Sequence, residues 1–191
     1  MMRAILLGCL WVSAAAVAAE AVVPRSLGRG TGGDGAWSVG HPEHSPSRLV
    51  VEPGAGPEAT PAAVLEFTFC ATTYNWNWAT VETGTADPSS AVAVRITYRT
   101  EVPAGFPPLN LMVREAGSAG YWVPEGLPLS PGRFATVSLP LQAFVLPAWS
   151  KDSNGKLDVE AIRQVSIGLA SSAAGTGRVF IADVALVPAG W

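Results

Sequence analysis

Eight short runs of β-forming residues follow one another from residue 47 onward: SRLVV, AVLEFTF, WATVET, AVAVRITYRT, LNLMVRE, FATVSLPL, RQVSIGL and RVFIADVALV. Gly, Pro, Asn or Asp stands between them, a spacing that belongs to all-β sandwiches and barrels. Within the runs, apolar residues alternate with polar ones. Val92, Val94, Ile96 and Tyr98 share one face of an extended strand while Arg95, Thr97 and Arg99 share the other. Leu109, Leu111 and Val113 face inward against outward Asn110 and Arg114, and Val165, Ile167 and Leu169 repeat the pattern. Two such sheets face to face enclose one core. One segment reads as helical: Asp158 precedes VEAIRQV with Glu160 in the first turn, which predicts a capped turn or two of helix near 158–163. The expected fold is a two-sheet antiparallel β-sandwich with one short helix.

The composition agrees with a single packed domain, since apolar types make up 49 % of the 191 residues and charged types 14 %. Each large side chain buried in such a core contributes about 1.5 to 3 kcal/mol before entropy is subtracted. Twelve basic and 15 acidic residues, net charge −3, are scattered without a basic stripe, which excludes a phosphate-backbone reader and makes nucleic acid an unexpected partner. Met1-Met2-Arg3, an apolar stretch over 4–18 and the small residues Ala16-Val17-Ala18 read as a secretory signal peptide over 1–19. The protein is therefore expected to be secreted or periplasmic, with no membrane span once the signal is cleaved. Residues 20–36, Gly-rich and aperiodic, read as a flexible leader, and 37–191 as the sandwich domain. Cleavage removes Cys9 and leaves Cys70 without a disulfide partner, a small strand residue in LEFTFCATT that lacks a neighbouring base.

The order RFATVSLPLQAF, DSNGKLDVEAIRQVSIGL, GRVFIADVALVP resembles the galactose-binding-domain-like β-sandwich (jelly roll) of many carbohydrate-binding modules. The resemblance covers about residues 37–188. It implies binding of a glycan or polysaccharide on loops or on one sheet face; no cofactor is expected from the residues, and the structural calcium ion that such families frequently carry is the one the resemblance leaves open. Asp183, in FIADVAL, is the acid of the last strand that the resemblance would place on calcium, although Ala182 stands where those families often have a second acid. Calcium ligation within DSNGKLDVEAIR is disfavoured, because Lys156 and Arg163 fall where oxygen ligands belong. Ser153-Asn154-Gly155 instead reads as a tight turn, with Asp158 as a cap. His41 and His44 sit in a Pro-rich loop with no third zinc ligand in evidence.

No catalytic constellation emerges: Gly-x-Ser-x-Gly is absent, and no Gly-rich phosphate loop opens onto a helix. What remains is TTYNWNWATVE, which puts Tyr74, Trp76 and Trp78 at every second position, on one face of a strand, with Asn75 and Asn77 between. Continuing the parity of Leu65, Phe67 and Phe69 would turn both amides into the core, where unpaired amides cost about 1 to 3 kcal/mol each. A strand break near 72–75 avoids that cost. Sugar rings combine apolar faces with hydroxyl edges, so aromatic rings beside amides suit them. The candidate ligand-binding residues are therefore Tyr74, Asn75, Trp76, Asn77 and Trp78, joined by Tyr121 and Trp122 in the Gly-rich turn EAGSAGYWVPEG and by Trp149. Packing of Trp76 and Trp78 at the core rim is the competing reading. The leading expectation is a non-catalytic glycan-binding module; a structural or adhesive surface module and a small lyase or hydrolase are the alternatives.

Overall fold

The computed structural model describes residues 25–28, 36–71, 74–84 and 86–191. The signal peptide expected over 1–19 lies outside the described residues. Two antiparallel sheets face each other. One contains β3 (Ser47–Glu52), β4 (Ala62–Phe69), β11 (Gly175–Pro188), β6 (Ala91–Glu101) and β9 (Ala135–Pro140) in that order. β1 (Arg25–Gly28) completes it as a sixth strand against β11. The other runs β2 (Trp37–Gly40), β5 (Asn75–Glu82), β10 (Ile162–Ser171), β7 (Asn110–Glu115) and β8 (Gly120–Trp122). The fold is an all-β, two-sheet antiparallel sandwich, as the alternation predicts.

The inward parity of the strands builds one core. Leu65, Phe67 and Phe69 from β4, Val94, Ile96 and Tyr98 from β6, and Val179 and Ile181 from β11 meet Ala79 and Val81, Leu111 and Val113, and Val165, Ile167 and Leu169 of the facing sheet. The Tyr98 hydroxyl donates to the Pro128 carbonyl at 2.6 Å, so this deeply buried ring keeps its polar tip satisfied. Val92, expected on the same inward face, is exposed: the β6–β11 pairing shifts register between Ala93 and Ala91, so parity flips at the start of β6 and Ala91, not Val92, joins the core.

Three expectations need correction. The helix near 158–163 is a single 3-10 turn, Val159–Ala161, after which Ile162 enters β10. Asp158 caps nothing with its side chain, which accepts from the Asn154 amide instead. The two-residue period of Val165, Ile167 and Leu169 outweighs a helix signal carried by β-branched residues that lose rotamer freedom in a helix. The leader expected over 20–36 is interrupted by β1, in which Leu27 joins the core and the Ser26 hydroxyl donates to Asp183 at 2.6 Å. Gly120–Trp122, read as part of a turn, is the edge strand β8, paired with β7 through Val113 opposite Tyr121 and Met112 opposite Trp122.

Candidate functional site

β4 and β5 are separate strands, yet parity is preserved across the connection between them. Asn75 and Asn77 point into the sandwich and are fully buried, while Trp76 and Trp78 lie on the outer face, partly exposed. Tyr74, just before the strand, is 64 % exposed. Both amides are paired. The Asn75 carbonyl oxygen accepts from the Ser45 hydroxyl at 2.7 Å and the Cys70 N–H at 3.0 Å, and its NH2 donates to the carbonyls of Cys70 and Ser171. The Asn77 oxygen accepts the Leu169 N–H at 2.9 Å, and its NH2 reaches the Ser47 hydroxyl at 3.4 Å. The expectation that Asn75 and Asn77 contact ligand is thereby overturned. Buried amides are costly only when unpaired, and these fasten β5 to its surroundings.

Pairing register shows what surrounds the two tryptophans on the outer face of the five-stranded sheet. Trp78 stands opposite Gly40 of β2 on one side and Gly168 of β10 on the other, and Gly168 stands opposite Asn110 of β7. One row along, Ser38, Thr80, Ser166, Met112 and Trp122 follow one another across all five strands. The next row holds Glu82, Gln164, Arg114 and Gly120. A Cβ at Gly168 would come within 1.8 Å of the Asn77 carbonyl oxygen, so the floor beside Trp78 has to stay bare. The Thr80 and Ser166 hydroxyls are 2.8 Å apart and share a hydrogen bond.

Trp149 comes from the connection that follows β9 and packs over β8. A Cβ at Gly120 would lie 3.6 Å from its ring, and its centroid is 6.5 Å from that of Trp122 at an interplanar angle of 75°. Trp149 is 59 % exposed, and Met112 is buried in the same neighbourhood. Two tryptophan pairs thus stand on one sheet face, Trp76 with Trp78 and Trp122 with Trp149. The three strand spacings from β5 to β8 separate them by about 14 Å. Tyr121 does not belong to this face. It is a core residue whose hydroxyl donates to Asp152 at 2.8 Å, so its expected ligand role is overturned by the same period-two alternation that turns Trp122 outward.

Electrostatics near the site centre on that tyrosine. Its hydroxyl holds the Asp152 carboxyl below the usual range, helped by the N–H groups of Ser153 and Lys156. Burial pushes the Tyr121 hydroxyl well up, so it remains a donor at any physiological pH. Glu115, at the inner end of β7, is raised by burial, and its carboxylate accepts the Asp158 N–H at 2.6 Å.

Asp183, which the resemblance would place on calcium, accepts from the Ser26 hydroxyl through one carboxylate oxygen and pairs with the Arg95 guanidinium at 3.2 Å through the other. Among the described residues no three His, Cys, Asp or Glu side chains converge as a metal site. Asp152 and Asn154 accept backbone N–H groups within their own turn, as the turn reading of DSNG requires. His41 and His44 are exposed and contact the backbone carbonyls of Pro42 and Tyr74.

Sequence reasoning missed Gly40, Thr80, Ser166, Gly168 and Gln164. Parity places each of them outward, but which strands lie side by side is a long-range property that no local pattern carries.

No protein-family model matches the chain, and no curated protein matches it in sequence. Solved structures do. A family 11 carbohydrate-binding module from Clostridium thermocellum, in complex with a β-1,3-1,4-mixed-linked tetrasaccharide, is similar over 89 % of this chain and 98 % of its own, with a TM-score of 0.66 and 15 % identity. A family 30 carbohydrate-binding module of a Clostridium thermocellum cellulosomal cellulase covers 88 % of this chain and 99 % of its own, with a TM-score of 0.60 and 12 % identity. The fold is that of the carbohydrate-binding-module β-sandwich. A β-1,2-glucanase from Parabacteroides distasonis also matches, with a TM-score of 0.59 and 13 % identity, over 81 % of this chain but only 23 % of the enzyme. The likeness to the modules therefore spans nearly whole proteins, and the likeness to the enzyme spans a minor part of one.

Proposed function

We propose that this protein is a secreted, non-catalytic glycan-binding module whose site is the outer face of the five-stranded sheet. The observation that carries the reading is the pair of tryptophan clusters, Trp76 with Trp78 and Trp122 with Trp149, on one face with a floor of Gly168, Ser166 and Asn110 between them. Indole rings offer flat apolar surfaces to the C–H faces of sugars, and the partly exposed hydroxyl and amide groups of Thr80, Asn110 and Gln164 suit sugar hydroxyls. A chain of several linked sugar rings would be needed to reach from one tryptophan pair to the other. The likeness in fold to a module solved with a glucan tetrasaccharide supports this reading. An adhesive surface for protein would call for a larger, purely apolar patch, whereas polar groups are interleaved with the rings here.

A glycan array probed with the exported domain, followed by calorimetry on the hits, tests the proposal. Stacking adds little beyond area burial, so affinities of roughly millimolar to micromolar are expected. Trp76→Ala should weaken binding about tenfold or more while leaving the melting temperature nearly unchanged, because the ring it removes is on the outer face. Wild-type binding by a folded Trp76→Ala and Trp78→Ala double variant would show that the rings are architecture.

A further inference from the structure

The arginines of the two sheets differ in their partners. On the six-stranded sheet, Arg48 pairs with Glu66, Arg95 with Asp183, Arg99 with Glu101, and Arg178 with both Glu52 and Glu66. On the five-stranded sheet, Arg114 and Arg163 have no carboxylate partner among the described residues, although acids lie nearby. Glu82 is taken by the Gln164 amide at 2.7 Å, and the Glu115 carboxylate accepts the Asp158 N–H. Arg163 is steered by its own backbone: its Nη1 donates to the carbonyls of Glu160 and Ile162, both at 2.9 Å. It occupies the register shift between Ile162 and Gln164, which brings it beside Arg114 in one cavity of about 360 Å³ that Gln164, Ser118 and Glu115 also line, the Glu115 carboxylate being held by the Asp158 N–H.

Arg114 is half-buried on the outer face, directly opposite Gly120 and diagonal to Trp122. Diagonal neighbours across antiparallel strands are about 7 to 8 Å apart, so a ring stacked on Trp122 would hold its substituents within reach of this guanidinium. A partly buried guanidinium without an anion is a cost in the free protein, and a ligand that supplies the anion recovers it. Guanidinium groups pair with carboxylate and sulfate oxygens through forked hydrogen bonds. We infer that the site takes anionic glycans, with Arg114 and Arg163 binding a uronate carboxylate or a sulfate ester carried by a sugar next to the one on Trp122. This inference rests on the proposed glycan-binding face and specifies the class of sugar it takes.

The test compares oligosaccharides of similar length on the intact domain by calorimetry: oligogalacturonate and oligomannuronate, a sulfated carrageenan oligosaccharide, and neutral cello- and manno-oligosaccharides. At least one anionic ligand should bind about tenfold more tightly than any neutral one, an advantage that shrinks as ionic strength rises. Arg114→Gln, and separately Arg163→Gln, should remove that advantage, leave residual affinity at the neutral level and keep the melting temperature close to that of the wild type. The uronate and sulfate arms distinguish the two sources of the anion. Equal binding of neutral and anionic ligands, or anionic binding untouched in both arginine variants, overturns the inference and leaves the glycan-binding face standing. Binding of no glycan at all overturns that face first, and the inference with it.

Discussion

Asn75 sits between two aromatic residues that face the solvent, and it faces the interior. Its amide makes hydrogen bonds to the Ser45 hydroxyl, to the N–H and carbonyl of Cys70, and to the Ser171 carbonyl, and so ties the β4–β5 connection to the loop before β3 and to the end of β10. Replacing it with alanine would strand several of those groups in a closed space. Asn75→Ala should therefore lower stability by about 1 to 3 kcal/mol, read from urea unfolding, while the folded fraction still binds glycan as wild type does. Continuing the period of Leu65, Phe67 and Phe69 turns Asn75 inward, but the cost of an unpaired buried amide favours a strand break near 72–75 in the sequence reading, and the structure buries the amide all the same. Its pairing was not legible: Ser45 lies 30 residues away and Ser171 lies 96 away, so the amide could be counted in the sequence but its partners could not. The same lack of partners in view led to Asn77 being assigned to a ligand when it serves the Leu169 N–H. Trp76 and Trp78 needed only the two-residue period, and their shared face was correctly anticipated.

At the scale of elements, β8 is three residues long and holds Tyr121 inward and Trp122 outward. The Gly-rich run around it gave no alternation to read, so strand and turn were indistinguishable until β7 supplied a partner. The Tyr121 hydroxyl is what secures the 152–158 turn to this strand, through Asp152. The carboxyl of Asp152 is depressed in the fold, chiefly by that hydroxyl. A depressed carboxyl contributes stability that is present above its unfolded value, near 3.9, and is lost as pH falls through the folded value. Tyr121→Phe should let the Asp152 carboxyl rise toward its ordinary range, seen in a carbon-detected NMR titration. The stability gap between wild type and variant should accordingly narrow as pH drops below about 4. Glu115 acts with the opposite sign: burial raises it, so the folded state gains from its protonation as pH falls through the folded value. A gap that stayed constant from neutral pH to pH 3 would mean that the hydroxyl packs against Asp152 without stabilising its charge.

Across the whole molecule, the sandwich has two outer faces with different chemistry. On the six-stranded sheet, Phe180 is buried between the guanidinium groups of Arg99 and Arg178, 3.8 and 4.7 Å from its ring centroid, and those arginines are in turn paired with Glu101, Glu52 and Glu66. A cavity of about 580 Å³ lies over this sheet, with Arg48, Glu66, Glu101 and Arg178 in its lining, but its charges already answer one another. A ligand entering there would have to break ion pairs to make new ones, whereas the five-stranded face offers two arginines with no carboxylate partner among the described residues and partly exposed indoles. Alternation made it legible that each sheet has an outward face. Which face is saturated could not be read, because the ion pairs join β3, β4, β6 and β11 across up to 126 residues of chain. The two faces should separate in paired variants. Arg178→Ala removes a ring contact and two partly exposed ion pairs, and should lower stability by about 1 kcal/mol with no change in glycan affinity. Trp78→Ala should do the reverse, weakening binding on the opposite sheet with little effect on unfolding. If Arg178→Ala impaired binding at unchanged stability, the ligand would be engaging the six-stranded face, and the tryptophans of the other sheet would have to be reassigned to structure.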